Sequence, residues 1–286
     1  MTGTLASFCG LAIGARELSR DMGTFEILFF RSLVGLIVLL PLALRDRGRA
    51  LRSATPGLQV VRNAIHFGAQ YGWVLAVALM PLAEVFALEF TMPIWAALLA
   101  VVFLKKRMTR PRLVALIGGF VGVLVILRPG IAVFNPAAFL VLAAALGFAT
   151  SVIMTKVLIR ADSPITIVFY MALVQMPMGL VPALYEWVPP VWAHLPWILL
   201  VGVTAMTAHY TLAQALKLAD ATVILPIDFL RLPLIALVGF AFYDEALVAW
   251  VFAGAALIFG ANYYSVWRET RAASAVGAAA AARGER

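Results

Sequence analysis

Apolar residues run through most of the chain in stretches of about 18 to 24 positions, separated by short breaks rich in Arg, Lys, Pro and Gly. Stretches of that length suit helices crossing roughly 30 Å of hydrocarbon. The breaks predict ten spans, at about 2–19, 24–45, 58–80, 82–104, 111–128, 136–159, 164–186, 196–217, 221–243 and 247–267. The first has no basic segment before it and no defined small-residue cleavage site, so it reads as a span and not a signal peptide. Beyond Trp267, the Ala-rich and charged stretch 268–286 reads as a cytoplasmic tail outside the membrane, a solvated or fraying helix or a disordered segment.

Composition sharpens this into a fold class. Of 286 residues, 64% are hydrophobic and 13% charged, with a mean hydropathy of +0.99. Soluble domains lie nearer ~45 to 50% apolar and ~25% charged. The expectation is an all-α polytopic membrane protein. A single cysteine, Cys9, excludes an internal disulfide framework and reads as a packing residue.

The net charge of +8 does not point to nucleic acid, because the cations sit in short loops between apolar spans. They act as topology signals. If both termini are cytoplasmic, the inside segments hold Arg45, Arg47, Arg49, Arg52, Lys105, Lys106, Arg107, Arg110, Arg112, Arg160, Lys217 and the tail arginines. The outside ones hold only Arg16, Arg20 and Arg128. The segment YEWVPPVWAHLPW then forms an aromatic belt at the outer interface, and the whole chain reads as a multi-pass inner-membrane protein.

Sliding the chain on itself by about 139 positions sets Ala69-Gln70-Tyr71 on Ala208-His209-Tyr210, and Glu89-Phe90 on Asp228-Phe229. One position more sets Arg16 on Lys156, Arg20 on Arg160 and Pro93 on Pro233. The expected organisation is therefore two five-helix repeats, 1–130 and 131–267. Five crossings is an odd number, so the second repeat lies inverted relative to the first.

Ten spans in two such halves resemble the drug/metabolite transporter superfamily, specifically its EamA-type members. The resemblance covers nearly the whole chain. It is carried by FFRSLVGLIVLLPLAL in the second span, by PIWAALLAVVFLKKRMTRPRLVALIGGFVGVLVILRPG across the fourth and fifth, and by PLIALVGFAFYDEALVAWVFAGAALIFGA near the end. These patterns identify a superfamily and not a substrate. Where family members often carry Gly-Glu after the fourth span, this chain has Lys105-Lys106, while the second copy keeps Asp244-Glu245. That difference fits a loop that only needs to be polar.

The resemblance implies carrier-mediated movement of a small organic metabolite by alternating access, without ATP hydrolysis and with no cofactor. Amino-acid-like, vitamin- or nucleoside-like and drug-like compounds all suit it, and proton coupling and facilitation both remain open, as do uptake and export. The sequence agrees about ATP, having no G-x-x-x-x-G-K-[ST] to cradle a phosphate. It has no H-E-x-x-H or Cys/His cluster for a metal either. The rival readings are a membrane-embedded enzyme acting on a lipid-linked substrate and a non-transporting receptor or scaffold. Partners are a small molecule, the bilayer and protons, and a monomer and a homodimer fit equally well.

Charges inside the spans direct attention to a site, because a charge at the bilayer centre costs at least ~2.5 to 3.5 kcal/mol. In PIDFLRLP, Asp228 and Arg231 stand at i and i+3 and share a helix face. They are either an intrahelical ion pair that locks a packing register, or a solvated pair in which Arg231 binds a substrate anion and Asp228 a cation or proton. The flanking Pro226 and Pro233 free backbone carbonyls near the midplane, where transporters build their sites. Glu89 is the repeat counterpart of Asp228 and lacks an obvious partner on its own helix. An unpaired buried carboxyl favours its neutral form, which suits a proton carrier, so Glu89 and Asp228 are the coupling candidates. Gln70, Tyr71, His209 and Tyr210 form a matching set on spans three and eight, with His66 one turn before Gln70. Arg31 is too deep to reach the interface and is expected to face the cavity or pair with Glu89. Arg62 and Lys156 read as anchors that snorkel to the membrane surface. Gln175 and Gln214 are further polar candidates, and the GGFVG glycines read as packing residues.

Overall fold

The computed structural model describes residues 2–45, 48, 51–102, 108–128, 135–218 and 228–282. They form helices α1 (Thr2–Leu18), α2 (Thr24–Arg45), α3 (Pro56–Leu79), α4 (Leu82–Glu89), α5 (Met92–Val102) and α6 (Arg110–Leu127). The second part of the chain forms α7 (Ala137–Leu158), α8 (Pro164–Ala183), α9 (Leu195–Leu218), α10 (Arg231–Tyr243) and α11 (Ala249–Ala282). Among the described residues, 7 helical stretches are long and apolar enough to cross a membrane, with α4 and α5 together making one of them. The protein is an all-helical membrane protein.

Helices fall on all ten expected spans, and one departs from expectation. The fourth is two helices, broken at Phe90–Thr91. Pro93 has no N–H to give to the Glu89 carbonyl, so a rung of the α-helical ladder is missing at the break. The start of the ninth span, with Pro226, lies outside the described residues, as do Lys105 and Lys106.

Helices pair mainly between the two parts of the chain: α1 with α9, α3 with α7, α2 with α8, and α6 with α11. Without a hydrophobic drive between helices in lipid, such pairs depend on close fit. The α6–α11 pair is the tightest. A Cβ on Gly122 would lie 2.7 Å from the Gly254 carbonyl, and one on Gly254 would lie 2.5 Å from the Gly122 carbonyl.

Polar ties join the loops at each end of the bundle. Asp162, after α7, accepts hydrogen bonds from Ser53, from Ala54 N–H (2.9 Å) and from Gln59 Nε2 (2.8 Å), ahead of and within α3. At the other end, His194 Nε2 lies 3.2 Å from Asp21 Oδ2. The helix α11 runs on past the last span, unbroken to Ala282. Its Glu269 ties back to α6, 2.7 Å from Arg112 Nε.

Candidate functional site

A cavity of about 620 Å³ lies among α1, α3, α7, α9 and the broken fourth and ninth spans. Its lining at one end includes the exposed Lys156 and Arg160, together with Arg112 and Glu269, so it opens there between charged groups. At its base are Trp73, Glu89, Asp228 and Arg231.

The two helix breaks create that base. After Glu89 the freed backbone is satisfied locally. Thr91 Oγ1 donates to the Leu88 carbonyl (2.7 Å), and Asn262 Nδ2 from α11 donates to the Phe90 carbonyl (3.2 Å). In the ninth span Leu230 forms a turn between residues 228–229 and α10, so Asp228 and Arg231 stand on either side of a break. Pro233 falls in the first turn of α10, where a missing N–H costs nothing.

Arg231 is the hub of the cluster. Its Nη2 lies 2.7 Å from Asp228 Oδ2 and its Nη1 lies 3.3 Å from Glu89 Oε1. Glu89 also accepts from Trp73 Nε1 at 2.8 Å. Glu89 lacks a partner on its own helix, as its spacing indicates, but is not unpaired: Arg231 and Trp73 reach it from other helices, which spacing along one helix does not show. The guanidinium expected to meet a substrate anion is engaged by two carboxylates and faces the rings of Phe8 (4.6 Å) and Phe90 (5.2 Å). With both carboxyls ionised, two carboxylates and one guanidinium give the cluster a net charge of −1.

The other expected groups divide. Gln70 and His209 line the cavity, with the His209 ring 4.9 Å from that of His66, which also lines it. Tyr71 instead stacks on Phe25 at 4.4 Å. The Tyr210 hydroxyl accepts from Gln214 Nε2 at 3.0 Å. Neither tyrosine is among the lining residues. Arg31 does not pair with Glu89. It is buried against Gln175, whose Oε1 accepts from its Nη1 at 2.9 Å. Arg62 is not a snorkelling anchor either, being 5% exposed and part of the cavity wall.

Sequence reasoning missed Trp73 and the inward direction of Arg62. Both follow from a stripe it half recognised. Arg62, His66, Gln70 and Trp73 recur at i, i+4, i+8 and i+11 on α3, which is one face of a helix. Extending the His66–Gln70 face by one turn each way reaches them.

The bundle is tied shut at the end opposite the charged mouth. Arg16 Nη2 donates to the Met80 carbonyl and to Glu245 Oε1 (2.9 Å), while the Leu82 N–H donates to Glu245 Oε2 (2.8 Å). The acid after the ninth span thus joins α1, the α3–α4 corner and the α10–α11 loop, which is more than the polarity expected of it.

The sequence profile of the EamA-like transporter family matches residues 3–128 and again residues 135–267. The chain belongs to that family. The transporter is 27% identical over 271 residues to an S-adenosylmethionine uptake transporter of Rickettsia bellii, covering 95% of this chain and 93% of that one. It is 33% identical over 244 residues to a riboflavin transporter of Brucella anthropi, covering 83% and 86%. A protein of known crystal structure superimposes with a TM-score of 0.64 over 94% of this chain and 98% of that one, at 18% identity, a likeness that bears on the fold alone. The transporter carries small metabolites across a membrane and is not an enzyme, which disposes of the lipid-linked enzyme and the scaffold.

Proposed function

We propose that this transporter is an inner-membrane carrier that works by alternating access between two inverted five-span halves, and that the cavity is its substrate site, facing the cytoplasm. The observation that carries this reading is one cavity with a charged open mouth at one end and the Arg16–Glu245–Leu82 tie beyond its base at the other. The helix pairing supports the repeat. Exchanging the halves turns the α1–α9 pair into the α7–α3 pair and leaves α2–α8 and α6–α11 unchanged. The positive residues near the mouth support a cytoplasmic opening.

The Arg231–Glu89–Asp228 cluster is the coupling site in this reading. A net charge of −1 in a low-dielectric site calls for a cation, and either a proton or a cationic group of the substrate satisfies it. Glu89→Gln and Asp228→Asn are therefore expected to lose pH-dependent accumulation. The relatives direct the choice of ligands. S-adenosylmethionine offers a sulfonium and an ammonium, and riboflavin a flat ring for the aromatic wall.

The test is uptake into proteoliposomes, alongside melting of the purified transporter with S-adenosylmethionine, riboflavin and a panel of other metabolites. A ligand at 100 times its Kd adds about 2.7 kcal/mol to stability. A ligand that raises Tm, is transported, and loses both effects in Glu89→Gln supports the site. Transport unchanged by substitutions at Glu89, Asp228 and His209 together would overturn it.

A further inference from the structure

The cavity holds a second charged feature, of opposite sign to the cluster at its base. Arg62 is 5% exposed, lines the cavity, and has no carboxylate partner among the described residues. Its Nη1 donates to the neighbouring Asn63 Oδ1 at 2.7 Å, and its buried Nε has no hydrogen-bond partner. Arg31, 1% exposed, stands behind it with Nη1 on Gln175 Oε1 and its own Nε unpartnered. Gln175 Nε2 then reaches the Asn63 carbonyl (3.1 Å) and His66 Nδ1 (3.0 Å), so one glutamine fixes the wall around both arginines.

Two buried guanidinium groups without an anion are costly, since each loses its hydration and gains no ion pair. A guanidinium with free N–H groups offers a planar fork that fits a carboxylate. Arg231 cannot play this part, because two carboxylates already occupy it. No carboxylate among the described residues supplies the counter-charge, and a molecule entering the cavity can bring it.

We propose that Arg62, backed by Arg31 through Gln175, is an anion-recognition subsite that takes the carboxylate of the transported metabolite. A cationic group on the same molecule faces Glu89 and Asp228, and its apolar body lies against His66, His209 and Phe148. The substrate class is a ring-bearing zwitterion. This assignment rests on the cavity being the transport site.

The experiment uses the full chain in lipid nanodiscs and pairs of probes that differ by one carboxylate: S-adenosylmethionine with its decarboxylated form, and tryptophan with tryptamine. The carboxylate member of at least one pair is expected to bind about tenfold more tightly or better, the range of a charge-assisted hydrogen bond. Arg62→Gln should erase that preference, and Arg62→Lys should keep part of it. The empty Arg62→Gln protein should melt no lower than wild type, because it loses a buried charge that had no ion pair. A preference that survives Arg62→Gln, or equal binding of both members of each pair, would overturn the subsite and leave the cavity as the transport site. Binding of inorganic phosphate or chloride, abolished by Arg62→Gln with no preference between pair members, would make Arg62 a counter-ion site and overturn the carboxylate assignment. Failure of every probe both to bind and to enter proteoliposomes would count against the cavity itself.

Discussion

Arg231 Nη1 lies 3.3 Å from Glu89 Oε1, although the two residues are 142 positions apart in the chain. That contact joins the broken span of the first half to the broken span of the second. It turns two separate intramembrane acids into one cluster with a shared cation. A change at any member alters the charge balance of the whole.

The order of destabilisation in this cluster follows from that balance. Arg231→Gln leaves two buried carboxylates without a cation and is expected to cost about 3 to 5 kcal/mol. Asp228→Asn or Glu89→Gln leaves one carboxylate facing one guanidinium and should lower Tm much less. Restoring neutrality in the ninth span alone, in the Asp228→Asn/Arg231→Gln double variant, should not recover stability, because Glu89 then has no cation. Thermal melts in detergent decide this, and equal losses from all three single changes would contradict it.

The α6–α11 contact predicts a contrast between glycines. Gly122→Ala places a methyl 2.7 Å from the Gly254 carbonyl and should cost about 1 to 3 kcal/mol through overpacking. Gly68→Ala on the exposed face of α3 meets nothing within 4 Å and should be neutral or stabilising. Melting temperatures of the two variants, measured side by side, test whether the helices approach as closely as described.

Glu245→Ala removes two of the three hydrogen bonds that tie the end of the bundle near Arg16, leaving the one from Arg16 to the Met80 carbonyl. Buried Cys9 on α1 is a native reporter of that closure. Its labelling by a membrane-impermeant maleimide added from the Arg16 side should rise by about tenfold or more, if the tie contributes what charged hydrogen bonds usually do. Unchanged labelling would mean that the end is held shut without Glu245.

Sidedness is checked by single cysteines in a Cys9→Ser background. Tags at Arg110 should react from the cytoplasm and tags at Val188 from outside. The reverse result would invert the cavity's orientation.

Truncation separates two parts of the tail. Ending the chain after Arg271 keeps the Arg112–Glu269 ion pair and should leave expression and transport near wild type. Ending it after Trp267 removes that pair, and the measured Tm should be lower than for the longer truncation.

The helical membrane class and the family were legible in the sequence, because each depends on a repeating local quantity. A run of apolar residues needs only its own length to specify a helix in lipid, where every backbone group must be satisfied within the segment. The i, i+3 placement of Asp228 and Arg231 on one helix face was legible for the same reason. What joins residues far apart in the chain was not. The Glu89–Arg231 contact, the burial of Arg31 on Gln175, the turn of Arg62 into the cavity and the tie from Glu245 to Arg16 and Leu82 all depend on which helix faces which. In a chain that is 64% hydrophobic nearly every helix face is greasy, so polarity gives little sign of which side meets a neighbour and which meets lipid. Helix pairing across the two halves settles that, and with it whether a buried charge finds a partner or waits for one.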